Sequence, residues 1–312
     1  ITFNGEIYNY RELRAELAAA GCRFRTQTDT EVLLRLFERD GARCLNRVRG
    51  MFAFAIWDRE RRHLFAARDH FGQKPFFYAA RAGRFFFASE VKGLLAHGDL
   101  AAEPELVAID AYLSLRFVPP PLTFFKNIRK LPAGHWLEWN AGTLRVERYW
   151  EPHFRAGPKR SVADWVAELT DQVDDAVRAH LVSDVPLGAF LSGGIDSSVV
   201  VATMARHSPG PVKTFCVGSE VSDFDERGHA RRVATHCGTE HYDTYVTSEL
   251  LGTIPRLVYC LDEPSDPIAA CIYEVARLAS RHVKVVLGGD GGDEIFAGFD
   301  RYAAYDLVQR SA

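Results

Sequence analysis

The chain has 312 residues, 47% of them hydrophobic, with 38 Lys and Arg against 41 Asp and Glu. That length and apolar content can build two domains with sizeable cores, while a net charge of −3 and a pI near 6.4 give no basic footprint for nucleic acid or an anionic membrane. No apolar run approaches the roughly 18 residues of a membrane span and no signal sequence opens the chain, so a soluble, cytoplasmic protein is expected.

In chain order, Ile1-Thr2-Phe3-Asn4-Gly5 reads as the end of a strand meeting a turn. Helices follow at 11–20 and at 30–39, the second with Thr28 or Asp29 as its N-cap. Short aromatic runs at 51–57, 63–67, 75–79 and 85–88, bounded by Gly, Asp-Arg or Arg-rich breaks, read as strands. A helix over 105–116 is predicted with Pro104 at its first position, stopped by Phe117-Val118-Pro119-Pro120-Pro121. A hairpin, 135–139 and 143–149, turns at Asn140-Ala141-Gly142. Residues 151–161 lack apolar periodicity and form a linker between domains at 1–150 and 162–312.

Beyond the linker the pattern changes. Helix 162–180, strand 187–191, helix 198–206, strand 212–217, helix 226–236, strand 241–246, helices 250–260 and 271–281, and strand 283–287 alternate as in a parallel sheet with right-handed crossovers. Ligands in such sheets sit at the carboxyl ends of the strands. Cys22, Cys44, Cys216, Cys237, Cys260 and Cys271 are scattered without a Cys-x-x-Cys pair, the pattern of buried thiols in a reducing compartment rather than zinc or disulfides.

The most informative stretch is Leu191-Ser192-Gly193-Gly194-Ile195-Asp196-Ser197-Ser198, between a buried strand and a helix. Two glycines allow a sharp turn and close ligand approach. The helix start offers unpaired N–H groups and partial positive charge to an anion. No Lys follows the glycines as in a Walker loop, and the Gly-x-Gly-x-x-Gly fingerprint is missing. The Ser-Gly-Gly-x-Asp-Ser pattern resembles the pyrophosphate loop of ATP pyrophosphatases, which cleave ATP between its α and β phosphates.

A second acidic glycine loop, Gly288-Gly289-Asp290-Gly291-Gly292-Asp293-Glu294, follows strand 283–287. It lacks EF-hand spacing. Asp196 and Asp293 are the expected pair for Mg²⁺, which in nucleotide sites takes one or two carboxylates plus phosphate oxygens and water. Strand 214–218 is expected to end between the two loops, with backbone at Val217 available to adenine. His241 and Asp243 on one strand read as structural.

Taken together, Asn4-Gly5-Glu6-Ile7-Tyr8-Asn9, Thr28-Asp29-Thr30-Glu31, Gly50-Met51-Phe52-Ala53-Phe54-Ala55, Arg68-Asp69-His70-Phe71-Gly72, Ala88-Ser89-Glu90-Val91-Lys92, Ser183-Asp184-Val185-Pro186 and the two loops resemble, in this order, the glutamine-hydrolysing asparagine synthetases. The resemblance covers nearly the whole chain. It implies an N-terminal-nucleophile αββα sandwich, incomplete here, followed by a parallel-sheet ATP pyrophosphatase domain that lacks its C-terminal part. In that family an N-terminal Cys releases ammonia from glutamine. By the resemblance Asn4 and Gly5 supply the oxyanion hole, Glu6 helps hold glutamine and Asp29 meets its α-amine. An amide and a glycine N–H on a tight turn suit an oxyanion; Asn-Gly-Glu alone would read as a hairpin turn.

The second half would then adenylate the aspartate β-carboxylate, and ammonia arriving through an internal tunnel would displace AMP. The implied ATP positions are Phe190, Leu191, Ser192, Gly193, Gly194, Asp196, Ser197, Val217, Gly288 and Gly289. Asp290 stands near the reacting carboxylate, where some members carry Glu. The expected cofactors are ATP and Mg²⁺, and the partners glutamine, aspartate or another carboxylate acceptor, with a homodimer admissible and no nucleic acid or membrane.

No Cys occupies position 1, and neither the family's glutamine-clamp arginine nor its later basic segment is present. The chain therefore reads as an internal piece, expected to lack glutaminase activity. Two other readings fit the same residues: a relative that amidates a sugar or peptide carboxylate or closes a β-lactam, separated by acceptor dependence, and a non-catalytic nucleotide-binding scaffold, separated by whether Asp196→Ala abolishes synthesis.

Overall fold

The computed structural model describes every residue except 156, 221–224, 247–251, 267 and 312, and residues 303, 306 and 308–311 by backbone alone. It contains two compact units, Ile1–Gly157 with Val258–Asp266, and Pro158–Leu257 with Pro267–Ala312. None of the described helices is long and apolar enough to cross a membrane.

The first unit runs β1 (Thr2–Ile7), α1 (Tyr10–Ala19), α2 (Asp29–Asp40), β2 (Gly50–Asp58), β3 (His63–Arg68), β4 (Phe77–Arg81), β5 (Arg84–Ala88), α3 (Val91–Leu95), α4 (Leu106–Leu115), β6 (Arg129–Lys130), β7 (His135–Asn140) and β8 (Thr143–Arg148). Two antiparallel sheets form, ordered β1-β2-β3-β7-β8 and β5-β4-β6. The two-residue period of β2 divides its side chains between two cores. Phe52, Phe54 and Ile56 pack with Leu13 and Leu17 of α1 and Leu33 and Leu36 of α2. Ala53 and Ala55 face Phe76, Tyr78 and Leu131 beside the smaller sheet. Val91 and Leu94 of α3 cover that sheet's other side, giving the expected αββα layering.

Several boundaries move for local reasons. Asn4-Gly5-Glu6 lies inside β1, and the expected turn comes later, at Tyr8-Asn9. There the Asn9 side chain donates to Arg47 O and accepts from Arg49 N, both at 2.9 Å, tying the end of β1 to the start of β2. β4 starts at Phe77 rather than 75, because Lys74 gives its carbonyl to Arg68 and its N–H to Asp69, and Pro75 has no N–H. Pro104 is not the first residue of α4. It bridges to Phe125, and Glu105 caps the helix.

The second unit runs α5 (Val162–His180), β9 (Leu187–Phe190), α6 (Ile195–His207), β10 (Lys213–Ser219), α7 (Arg227–Cys237), β11 (Glu240–Val246), α8 (Ile254–Leu261), α9 (Ile268–Ala279), β12 (Val285–Leu287), α10 (Gly292–Phe296) and α11 (Asp300–Ser311), with the last turn of α8 grouped spatially in the first unit. Ser161 opens α5 with a capping box to Asp164. The sheet is parallel, ordered β11-β10-β9-β12. Val177, Val201, Met204, Ala230 and Ala234 cover one face, and Val275 and Ala279 of α9 the other. This order corrects the expected place of β10. β9 lies between β10 and β12, so β10 flanks the first glycine loop on the side away from the second. Helix α6 begins at Ile195, three residues before the predicted start, which puts Asp196 and Ser197 in its first turn.

The thiols correct another expectation. Cys44 and Cys216 are buried, but Cys260 is exposed and Cys22, Cys237 and Cys271 are half-buried.

Candidate active sites

In the first unit, β1 is an edge strand among the described residues. Its paired register runs Asn4↔Ala53, Gly5↔Phe52 and Glu6↔Met51, and Tyr8 N–H donates to Arg49 O at 2.8 Å. Antiparallel pairs alternate between bonded and non-bonded, so Asn4 and Glu6 turn their backbone groups to β2, and Gly5 and Ile7 turn theirs outward. Ile7 bears this out: its N–H donates to Asp29 Oδ2 at 3.0 Å. The Gly5 N–H therefore points from the same open edge, two residues along. Only glycine fits there, because a Cβ on Gly5 would lie 2.7 Å from Phe52 Cα.

Asn4 and Glu6 are exposed on one face of β1, while Ile7 is buried on the other. Asp29 is held where α2 begins. Thr28 caps that helix by accepting the Glu31 N–H at 3.3 Å, and Asp29 Oδ1 takes a long 3.4 Å bond from Thr30 Oγ1. The Tyr8 phenol is pushed up to about 12 by burial, with Glu6 and Asp69 adding negative charge nearby. Asn4, Gly5 and Glu6 thus lie along β1, on an open edge rather than on a tight turn, and Asp29 meets the end of that strand at Ile7.

In the second unit, β9 delivers the first loop, and Leu191 N–H continues the ladder to Phe215 O at 2.9 Å. Gly193 has φ +86° and rests on the start of α7, where a Cβ would lie 2.6 Å from the His229 carbonyl carbon. Gly194 caps α6 without a side-chain bond, and a helix start of this kind favours an anion. The loop is braced internally. Ser197 Oγ accepts the Ser192 N–H at 3.3 Å and lies 3.0 Å from Ser192 Oγ, which accepts the Gly194 N–H at 3.2 Å.

The loop after β12 packs directly on this one. A Cβ on Gly289 would lie 2.8 Å from Ser197 N, and one on Gly292 would fall on the Asp196 carboxyl group. Asp293 follows at once, its carboxylate against Gly298, whose N–H donates to Asp293 O at 2.9 Å. Asp290 is exposed and folds back toward Gly288. Phe190 and Val217 line the α9 side of the sheet, with Val217 across β9 from the second loop. Among the described residues no three His, Cys, Asp or Glu side chains gather into a metal site. A two-carboxylate donor set completed by phosphate oxygens suits Mg²⁺ in a nucleotide site.

Sequence reasoning assigned no role to two residues beside these sites. His229 forms the floor under Gly193, and only the fold reveals it. Asp69 is fully buried and takes four backbone N–H groups; its place between Arg68 and a Gly-containing loop was the available signal.

An αββα unit followed by a parallel sheet with paired glycine loops is the architecture of a glutamine amidotransferase-type domain joined to an ATP pyrophosphatase-type domain. The glutamine amidotransferase domain family matches residues 1–150 and the asparagine synthase family residues 168–312. The chain belongs to the glutamine-hydrolysing asparagine synthetase family.

Asparagine synthetase [glutamine-hydrolyzing] 1 of Bacillus subtilis is 40% identical over 97% of this chain and 48% of its own length. The putative asparagine synthetase of Mycobacterium tuberculosis H37Rv is 42% identical over the same shares. The chain spans about half the length of these curated relatives. Among solved structures, a glutamine phosphoribosylpyrophosphate amidotransferase from B. subtilis aligns with TM-score 0.38 and 15% identity over 78% of this chain and 60% of that one.

Proposed function

We propose that the protein makes asparagine from aspartate, with glutamine as nitrogen donor, through a β-aspartyl-AMP intermediate. The observation that carries this is the packing of the two glycine loops, with Gly289 and Gly292 against Ser197 and Asp196. In this reading the N–H groups at the start of α6 hold the pyrophosphate. The aspartate β-carboxylate attacks the α-phosphorus, pyrophosphate leaves, and ammonia displaces AMP from the acyl carbon. Asp196 and Asp293 would hold Mg²⁺, which when bound offsets charge on the leaving pyrophosphate.

Val217 and Phe190 border adenine, and Asp290 lies beside the acceptor. In the first unit the outward Gly5 N–H and the Asn4 amide stabilise the oxyanion of glutamine hydrolysis, with Glu6 and Asp29 holding the substrate. The test is aspartate-dependent formation of AMP and pyrophosphate by the natural protein with MgATP and ammonia. Formation that depends on another carboxylate, and not on aspartate, would move the assignment to a different acceptor.

A further inference from the structure

Asp69 belongs to a motif that the proposed chemistry leaves unused, yet its side chain is 0% exposed. Its Oδ2 accepts the N–H groups of Phe52 at 3.1 Å and Lys74 at 3.0 Å. Its Oδ1 accepts those of Phe71 at 3.2 Å and Gln73 at 2.9 Å. Its own N–H donates to Phe52 O at 2.8 Å, and its carbonyl accepts from Gly134. Beside it the Arg68 guanidinium donates to the carbonyls of Lys74, Leu131 and Gly72. A buried carboxylate is tolerated only where its lone pairs are filled. Here they are filled by backbone, so the group fixes chain geometry.

The consequence falls on Gly5. Phe52 gives both its N–H and its C=O to Asp69, so neither is directed at β1. Phe52 is the partner of Gly5 in the register, and a non-bonded pair turns the backbone groups of both residues away from each other. Asp69 thus holds β2 in the phase that leaves the Gly5 N–H facing the open edge, beside the Ile7–Asp29 contact. We propose that Asp69 is a positioning residue for the oxyanion donor at Gly5. This rests on the glutamine-hydrolysis reading of the first unit.

Two measurements test it. In this 312-residue chain, Asp69→Asn should speed amide exchange at Phe52 and along β1, Ile7 included, by tenfold or more. Faster exchange confined to 71–74 would overturn the proposal, since Asp69 would then tie only its own loop. In the natural protein the same variant should lower the glutaminase kcat at least tenfold with KM within twofold and ammonia-dependent synthesis retained. Unchanged kcat, or a raised KM alone, would also overturn it. If the unsubstituted protein hydrolyses no glutamine, the hydrolysis reading fails, and the exchange result still decides whether Asp69 controls β1. Where Asp69→Asn reduces the folded fraction, Asp69→Glu retains the charge and should give a smaller change of the same kind.

Discussion

At single residues, the second unit is governed by what glycine leaves out. Gly292 touches the Asp196 carboxyl group so closely that a methyl has no room. Gly292→Ala should push the two loops apart, costing about 1–3 kcal/mol of stability read by chemical denaturation and weakening MgATP binding in a titration by more than the stability loss explains. In the first unit, the Glu31 carboxylate accepts the N–H groups of Arg25 at 2.9 Å and Thr26 at 2.6 Å, and the Thr26 hydroxyl at 2.7 Å. These bonds, led by the one from Arg25, lower its pKa from 4.5 to about 2. A depressed carboxyl pKa adds stability that is fully present above the unfolded value and is lost as protons bind on the way down. The Glu31 contribution should therefore hold above pH 4.5 and vanish as the pH falls to about 2. Carboxyl NMR titration checks the value, and Glu31→Gln should flatten that part of the stability profile.

Among elements, α3 shows how a short helix can depend on distant sequence. Its N-cap residue Glu90 makes no side-chain cap. Asp262 makes it instead, accepting the N–H groups of Val91 at 2.7 Å and Lys92 at 3.3 Å, with Lys92 Nζ at 3.2 Å. The next residue, Glu263, meets Lys130 Nζ with both oxygens at 2.8 Å. The Ser89 to Lys92 motif is thus a docking point for a segment about 170 residues later, within the same spatial unit. Asp262→Ala should cost about 1 kcal/mol, the usual value of an N-cap, read by chemical denaturation. Exchange protection should drop at Val91 and Lys92 first. Local periodicity predicted α2 and α5 nearly to the residue, because their caps lie within three residues of their first turns. It missed α3, a five-residue helix whose cap comes from elsewhere in the chain.

For the molecule as a whole, the proposed function puts its two chemistries in two units, and their failures should separate. In the natural protein, Asn4→Ala should lower glutamine-dependent synthesis by about 10²–10³ in kcat, the usual effect of removing one oxyanion donor. Ammonia-dependent synthesis should stay near its starting rate, and parallel assays with the two nitrogen sources measure both. The alternation of strands and helices after residue 162, the aromatic strands before 150 and both glycine loops were legible in the sequence, because periodicity, caps and turn residues act over a few positions. Three features were not. Asn4-Gly5-Glu6 carries a turn composition but lies in a strand, since pairing with Met51 to Ala53 outweighs local preference. The order β11-β10-β9-β12 follows from crossovers that no single segment encodes. Asp69 and Asp262 act on backbone 17 and 171 residues away. By itself the sequence determined the family and the two kinds of sheet, and it supplied the residues proposed to bear the chemistry. Only the tertiary structure decided which N–H groups lie on an open strand edge and which carboxylates act as fasteners, because a hydrogen bond's direction depends on the partner strand or loop that meets it in space.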